Sequence, residues 1–203
     1  DERFDIEDVV VEDLPEDINY GTPSSLSVDG SFTAHIAFEA DGDVMYTKVT
    51  EEGDFSEPEI ISAESDPLWV SGTYIDTEVS TDGRVHVGYV NHLDYDFDGE
   101  RFLKNQLYYA KGGAGTTWTA NAIDGHFDEQ FDIGRYVDLE IHESEIMGFN
   151  ATTASFAYYD GDRGNARVAD VLIDGGTPIA TPIGSGFPPE WTEGLLVSAQ
   201  YTS

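Results

Sequence analysis

Cysteine is absent from this 203-residue chain, and basic residues are scarce. Without cysteine there is no disulfide framework, no thiolate metal site and no cysteine nucleophile. Lysine and arginine together number 9, against 41 aspartates and glutamates, and the only lysines are Lys48, Lys104 and Lys111. The formal charge of −32 argues against nucleic acid and anionic membranes as partners, and it favours a basic partner or a divalent cation.

Long apolar runs and the common enzyme fingerprints are also missing. No window approaches the roughly 18 consecutive apolar residues of a membrane span. The phosphate-binding loop, the dinucleotide fingerprint and Gly-x-Ser-x-Gly do not occur, and no two histidines have a zinc-site spacing. Carboxylate pairs for glycoside hydrolysis can be drawn anywhere from 41 acidic residues, so they carry no signal.

Apolar residues are nevertheless plentiful, with 39% hydrophobic and 12% aromatic residues. That content predicts a folded domain rather than a disordered acidic tail. Self-repulsion among so many carboxylates opposes compaction unless concentrated salt screens it. The composition therefore predicts a halophilic source.

A phrase of two apolar strands recurs three times. Its copies are 35–38 (HIAF) with 44–47 (VMYT), 86–89 (HVGY) with 107–110 (LYYA), and 146–149 (IMGF) with 156–159 (FAYY). The copies begin at residues 35, 86 and 146, so successive starts lie 51 and 60 residues apart. Such a period is typical of architectures that repeat one four-stranded unit.

The alternation of apolar and polar residues around glycine-rich turns predicts an all-β chain with four strands per repeat. The predicted strands are 25–29, 33–39, 44–49 and 59–62, then 74–80, 85–90, 106–111 and 118–123, then 136–142, 145–150, 155–159 and 166–172. The predicted organisation is an N-terminal strand and linker (1–21), three β-repeat units (22–66, 67–126 and 127–183), and a Gly/Pro loop with a C-terminal strand (184–203).

The repeat resembles the blades of sialidase-like and related secreted β-propellers, which combine an aliphatic-Asp-Gly turn with His-Ile-Ala-Tyr and Leu-Tyr-Tyr-Ala strands. Here the matching elements are 27–30 (SVDG), 35–38 and 44–47, and the resemblance covers residues 22–183. It implies a β-propeller-like array of four-stranded antiparallel units, with a β-sandwich as the alternative.

Two departures from the family qualify that resemblance. The sialidase Asp-box, Ser-x-Asp-x-Gly-x-x-Trp, is missing, and 80–83 (STDG) comes nearest. Only three complete blades are recognisable, whereas a propeller ring has four to eight. The ring is therefore open, is completed by strands of another copy, or is replaced by a sandwich. The six arginines occupy no consistent blade position, which predicts surface ion pairs rather than a sialidase arginine triad.

The sharpest local motif is 94–100 (DYDFDGE), where oxygen ligands alternate before a glycine. It resembles the Asp-x-Asp-x-Asp-Gly loops of calcium-binding proteins. The position of the usual final glutamate holds Asn105, so the predicted Ca²⁺ site would recruit Glu100, a backbone carbonyl or water. The predicted ligands are Asp94, Asp96, Asp98, Glu100 and Asn105.

Other polar residues have simpler interpretations. His35 and His86 recur at one repeat position, where Ile146 stands in the third copy, which predicts buried structural side chains. His92 and His126 in loops are weaker ligand candidates, as is 160–162 (DGD) with Asn165, while 41–43 (DGD) predicts a hairpin turn. Asn150 begins a glycosylation sequon.

Together these features favour a non-enzymatic structural or adhesion protein of a halophile or its virus. We expect it at the cell or virion surface, self-associating or bound to a neighbouring surface protein; a start at Asp1 rather than Met fits a processed or excised product. The alternatives are a glycan-processing, sialidase-like enzyme and a glycan-binding module. Stacking platforms for a glycan would be Trp69, Tyr74, Trp118 and Trp191.

Overall fold

The computed structural model describes residues 23–62, 69–98, 100–113, 115–125, 131–146, 149–173 and 179–182. Within these residues the protein is all-β, as predicted, with twelve strands and no helix. The predicted terminal segments 1–21 and 184–203 lie outside the described residues.

The strands form three four-stranded antiparallel sheets, each with its strands in chain order. The first sheet contains β1 (Ser24–Val28), β2 (Ala34–Ala40), β3 (Asp43–Val49) and β4 (Glu59–Ile60). The second contains β5 (Trp69–Val79), β6 (Val85–Phe97), β7 (Glu100–Gly113) and β8 (Thr116–Asp124). The third contains β9 (Ile133–Ile146), β10 (Phe149–Asp160), β11 (Asn165–Leu172) and β12 (Ile179–Pro182).

The sheets pack face to face in chain order. Side chains on a strand alternate between its two faces, so each sheet has two faces that can pack. We call the face toward the following sheet the front and the opposite one the back. Ala37 and Tyr46 on the first sheet's front pack against Val87 and Tyr89 of the second. The front of the second sheet packs in the same way on the back of the third, through Leu107 and Tyr109 against Leu139 and Phe156.

Gly88 on the front of β6 permits the second of these contacts. A Cβ atom at this position would lie 2.9 Å from Phe156 Cε1 and 3.0 Å from Val137 Cγ1. Any larger residue would therefore push the third sheet away from the second.

The third repeat has a different register from the one predicted. β9 and β10 form one long hairpin in which Ile146 pairs with Phe149, so 145–150 is the end of that hairpin rather than a separate strand. The residue equivalent to His35 and His86 is Ser155, not Ile146: Ser27, Glu78 and Glu140 are their partners on the first strands. The alternation of a single strand and that of a tight hairpin look alike in sequence, which explains the error.

Two further features of the fold were not predicted. The segment between the predicted strands 85–90 and 106–111 is an extension of β6 and β7, which remain paired as far as Phe97 and Glu100. β12 was missed because it ends in Pro182, a residue that strands accept mainly at sheet edges; β12 is such an edge strand. The predicted hairpin at 41–43 is confirmed: Asp41 and Gly42 both have positive φ, of 54° and 86°, as a type I′ turn requires.

Candidate functional site

The first strands of the three sheets lie side by side, with β1 in contact with β5 and β5 with β9. The front faces of the first and second sheets each offer a side-chain oxygen to the main chain of the following sheet. Ser25 Oγ accepts the Thr77 N–H at 3.0 Å, and the equivalent Asp76 Oδ2 accepts the Leu139 N–H at 2.6 Å. Ser25 Oγ also donates to Asp76 Oδ1 at 3.0 Å, so the three strands are joined through one polar chain.

Four carboxylates lie along these strands, and we call them the inner carboxylate cluster: Asp76, Glu78, Asp138 and Glu140. Burial raises the pKa of Asp76, although hydrogen bonds from Leu139 N–H, Ser25 and Thr77 N–H oppose the shift. Burial also raises the pKa of Glu78, and the charges of Asp76 and Glu140 raise it further. The raised pKa values mean that the ionised forms of Asp76 and Glu78 are disfavoured in the folded protein.

Two tyrosines stand at one end of this cluster. The rings of Tyr74 and Tyr136 are 5.2 Å apart between centroids and tilted by 56°, and both side chains are half-buried. Tyr136 has a positive φ of 56°, a conformation that costs energy in a bulky residue. Burial raises the pKa of Tyr74, so its hydroxyl stays protonated at neutral pH.

The other predicted aromatic platforms are less available. The Trp118 ring packs on Tyr46 at 4.9 Å between centroids, and its indole N–H donates to Glu59 Oε2 at 3.0 Å. Trp118 therefore joins the first two sheets. The side chain of Trp69 and all of Trp191 lie outside the described residues.

The repeated histidines are structural, as predicted. His35 Nδ1 bonds the Tyr46 hydroxyl at 2.8 Å, and His86 Nδ1 bonds the Tyr109 hydroxyl at 2.7 Å. His86 is fully buried, and burial lowers its pKa to about 4, so it is neutral at pH 7.

A buried ionic network between the second and third sheets was not anticipated, because the arginines were expected at the surface. Arg167 Nη1 lies 2.8 Å from Asp124 Oδ2 and 3.3 Å from Asp160 Oδ2, and all three side chains are at least nine-tenths buried. Tyr158 donates its hydroxyl hydrogen to Asp124 Oδ2 at 2.6 Å. In sequence, Arg167 alternates with Ala169 and Val171, which placed it on the apolar face.

The side chains of the remaining paired arginines in the described residues are more exposed, as predicted. Arg84 pairs with Asp82, Arg135 with Asp132, and Arg163 with Asp160. Asp162 accepts the main-chain N–H groups of Phe131 and Asp132, so the 160–162 segment is occupied in holding two loops together.

The predicted calcium ligands lie on the β6–β7 hairpin. Asp94 is exposed on β6, Asp98 is in the turn with a φ of 55°, and Glu100 is exposed at the start of β7. The Asp96 side chain lies outside the described residues. Asn105 is directed elsewhere: its Oδ1 lies 2.6 Å from His92 Nδ1, and its Nδ2 donates to Asp132 at 2.8 Å. Calcium binding stays a prediction.

Other candidates fall partly outside the described structure. His126 and the side chain of Asn150 lie beyond it. Within the part of the chain that is described, no three His, Asp or Glu side chains form a group that could hold a metal ion. The same residues contain no helix long and apolar enough to cross a membrane.

Comparison with known proteins finds no family model and no curated protein that matches this chain.

Proposed function

We propose that this protein is a non-enzymatic structural or adhesion component of the extracellular or virion surface of a halophile, assembled through β-strand contacts. The observation that carries the proposal is the use of the reactive side chains. His86 and Tyr109 bond each other inside the second sheet, Asp76 bonds the main chain of the third, and Arg167 is enclosed between two aspartates. These chemically reactive side chains hold strands together within a sheet or join one sheet to the next.

The arrangement of sheets supports a propeller-like array over a two-layer sandwich. Three sheets follow one another front to back, and their first strands meet on one side. Blades of a propeller relate in this way, with inner strands around a shared centre. Three such sheets leave two end faces, which is the property an assembling subunit needs.

The charge supports a halophilic surface protein. A formal charge of −32 on 203 residues requires screening, and the Debye length shortens to about 3 Å at 1 M salt. The inner carboxylate cluster adds repulsion along β5 and β9, where the charges of Asp76 and Glu140 raise the pKa of Glu78. We expect far-UV circular dichroism to show the β signal in molar NaCl and its loss on dialysis to low salt; unchanged folding would refute the halophilic assignment.

Glycan binding is the second candidate, and one observation favours it. Tyr74 and Tyr136 present adjacent, half-buried rings, and the charges of Arg135 and Asp132 act on the Tyr74 hydroxyl. Aromatic faces next to carboxylates combine stacking with hydrogen-bond acceptors, the usual equipment of a polar ligand site.

Three assays in molar NaCl separate these functions. A structural protein should form a defined oligomer in light scattering, should not retain any glycan on an array, and should not hydrolyse chromogenic glycosides. Retention of one glycan, abolished by Tyr136→Ala and unaffected by Tyr108→Phe, would establish the second candidate instead. Turnover lost on changing one carboxylate would overturn both.

A further inference from the structure

Each sheet has an outer edge strand, β4, β8 or β12, on the side away from the first strands that lie side by side. The unpaired N–H and C=O groups of such an edge can add a strand from another chain, and proteins prevent this with short edge strands, proline or charged side chains. β4 has two residues, one of them Glu59, and it follows Pro58. β12 has four residues and ends in Pro182. Two of the three outer edges are therefore protected.

The outer edge of the second sheet lacks these protections. β8 has nine residues and contains no proline. Its single charged residue is Asp124 at its end, which pairs with Arg167 of the third sheet. Within the described residues only β7 pairs with β8. Four side chains of β8 are exposed: Thr116, Thr117, Thr119 and Asn121. We call residues 116–121 the open edge.

The residues of the open edge favour strand pairing. Three of the six are threonines, whose β-branched side chains suit strands and pair well across them. On the back face Trp118 and Ala120 pack on the core between the first and second sheets, and the indole N–H of Trp118 is bonded to Glu59. An added strand would therefore meet an edge that is already ordered, which lowers the entropic cost of pairing.

Charge indicates which partner this edge suits. The open edge carries no charged side chain, although the whole chain has a formal charge of −32. Carboxylates along the edge would attract a basic partner, and here they are missing. A neutral edge instead allows a partner of the same negative charge, as another copy is, to approach. Contact through a single strand also keeps the charged faces of two copies apart.

We propose that the open edge pairs antiparallel with the open edge of a second copy, so that two four-stranded sheets join about a twofold axis. The inference rests on the proposed function, because it names the strand and the partner of that assembly. Antiparallel pairing of a strand with itself is symmetric, as an isologous dimer requires. With Thr119 on the axis, Trp118 lies opposite Ala120 of the other copy and Thr117 lies opposite Asn121. The largest side chain of the open edge then meets the smallest.

The absence of cysteine from the natural chain permits a direct test. In this dimer the two Thr119 side chains are cross-strand neighbours, with Cβ atoms about 4.5–5.5 Å apart, close to the separation that a disulfide spans. Thr119→Cys should therefore cross-link two copies under mild oxidation in molar NaCl. Leu172→Cys is the control and should not cross-link: Leu172 is 46% exposed, but it lies on β11, between two other strands of its sheet.

Charge substitutions give a second measurement that does not depend on oxidation. Light scattering after gel filtration in molar NaCl should give a dimer for the natural chain and for Leu172→Glu. Thr119→Glu and Thr119→Lys each place two like charges opposite one another at the axis, so both should weaken the dimer about fivefold. The two variants change the net charge in opposite directions, so an effect of net charge alone would separate them.

Two results would overturn the inference, and they are distinguishable. An oligomer that Thr119→Cys does not cross-link and that neither charge at Thr119 weakens would refute the pairing of β8 while leaving the proposed assembly standing. A natural chain that is monomeric at all concentrations would refute both. Hydrogen exchange of that monomer would then identify the occupant: protection of the outward-facing amides of residues 116–121 would show that another part of the same chain covers them, and rapid exchange would show that they are unpaired.

Discussion

Replacing Arg167 with methionine should destabilise the protein strongly. The guanidinium is shared by Asp124 and Asp160, which are 2% and 0% exposed, so the substitution leaves two carboxylates buried with less compensation. Removing one partner of a buried ion pair typically costs about 3–5 kcal/mol. Asp160 keeps Arg163 at 2.9 Å, and Asp124 keeps the Tyr158 hydroxyl. We therefore expect a loss of about 3 kcal/mol, at the lower end of that range.

The assay is urea unfolding in molar NaCl, followed by circular dichroism. Arg163→Met is the matched control: its side chain is 55% exposed, and its buried partner Asp160 keeps Arg167 at 3.3 Å when Arg163 is removed, so we expect a smaller loss than for Arg167→Met. Adding Asp124→Asn to Arg167→Met should recover part of the loss, because it removes one uncompensated charge. Equal losses for Arg167→Met and Arg163→Met would show that burial does not set the energy of this network.

Three further predictions concern pH, charge and calcium. Burial lowers the pKa of His86 to about 4 in the folded protein, so the unfolded chain binds the proton first as the pH falls. The stability due to neutral His86 should be complete above pH 6.5 and lost as the pH falls toward 4. His86→Gln should flatten that dependence when unfolding is measured as a function of pH. The raised pKa of Glu78 means that its ionised form opposes folding, increasingly as the pH rises above 4.5. Glu78→Gln should stabilise the protein at neutral pH, and because salt screens the charges of Asp76 and Glu140, the gain should shrink as the NaCl concentration is raised; the absence of any gain would contradict the prediction. Titration calorimetry with CaCl₂ should give heat of binding that the double variant Asp94→Asn/Asp98→Asn abolishes; identical traces for both proteins would eliminate the site.

The all-β class was predictable because it depends on local patterns. Period-two alternation, glycine-containing turns and the repeated His-x-x-aromatic phrase each act over a few residues. The segments 74–79 (YIDTEV) and 136–141 (YVDLEI) are also alike in sequence, and they occupy equivalent positions on β5 and β9. The third repeat failed where Ile146 and Phe149 face each other across a turn, because local alternation is the same on either side of a reversal.

The polar contacts between sheets were less predictable, because they depend on which face of a strand lies against the neighbouring sheet. Ser25 and Asp76 differ in chemistry, so their common role in accepting a main-chain N–H is visible only once the sheets are paired. Arg167 looked like a surface residue by type. Its alternation with the apolar Ala169 and Val171 indicated a buried position instead, and the residue type alone does not show this.

The hydrogen bonds that Ser25 and Asp76 make with the following sheet have the same direction along the chain. In both, a side chain of the earlier sheet holds the main chain of the later one. The stability of repeat arrays depends mainly on contacts between neighbouring repeats, so removing the Ser25 hydroxyl should destabilise the second sheet before the third. A ribosome releases the supporting sheet before the one it supports, and each new sheet therefore meets a finished template as it emerges.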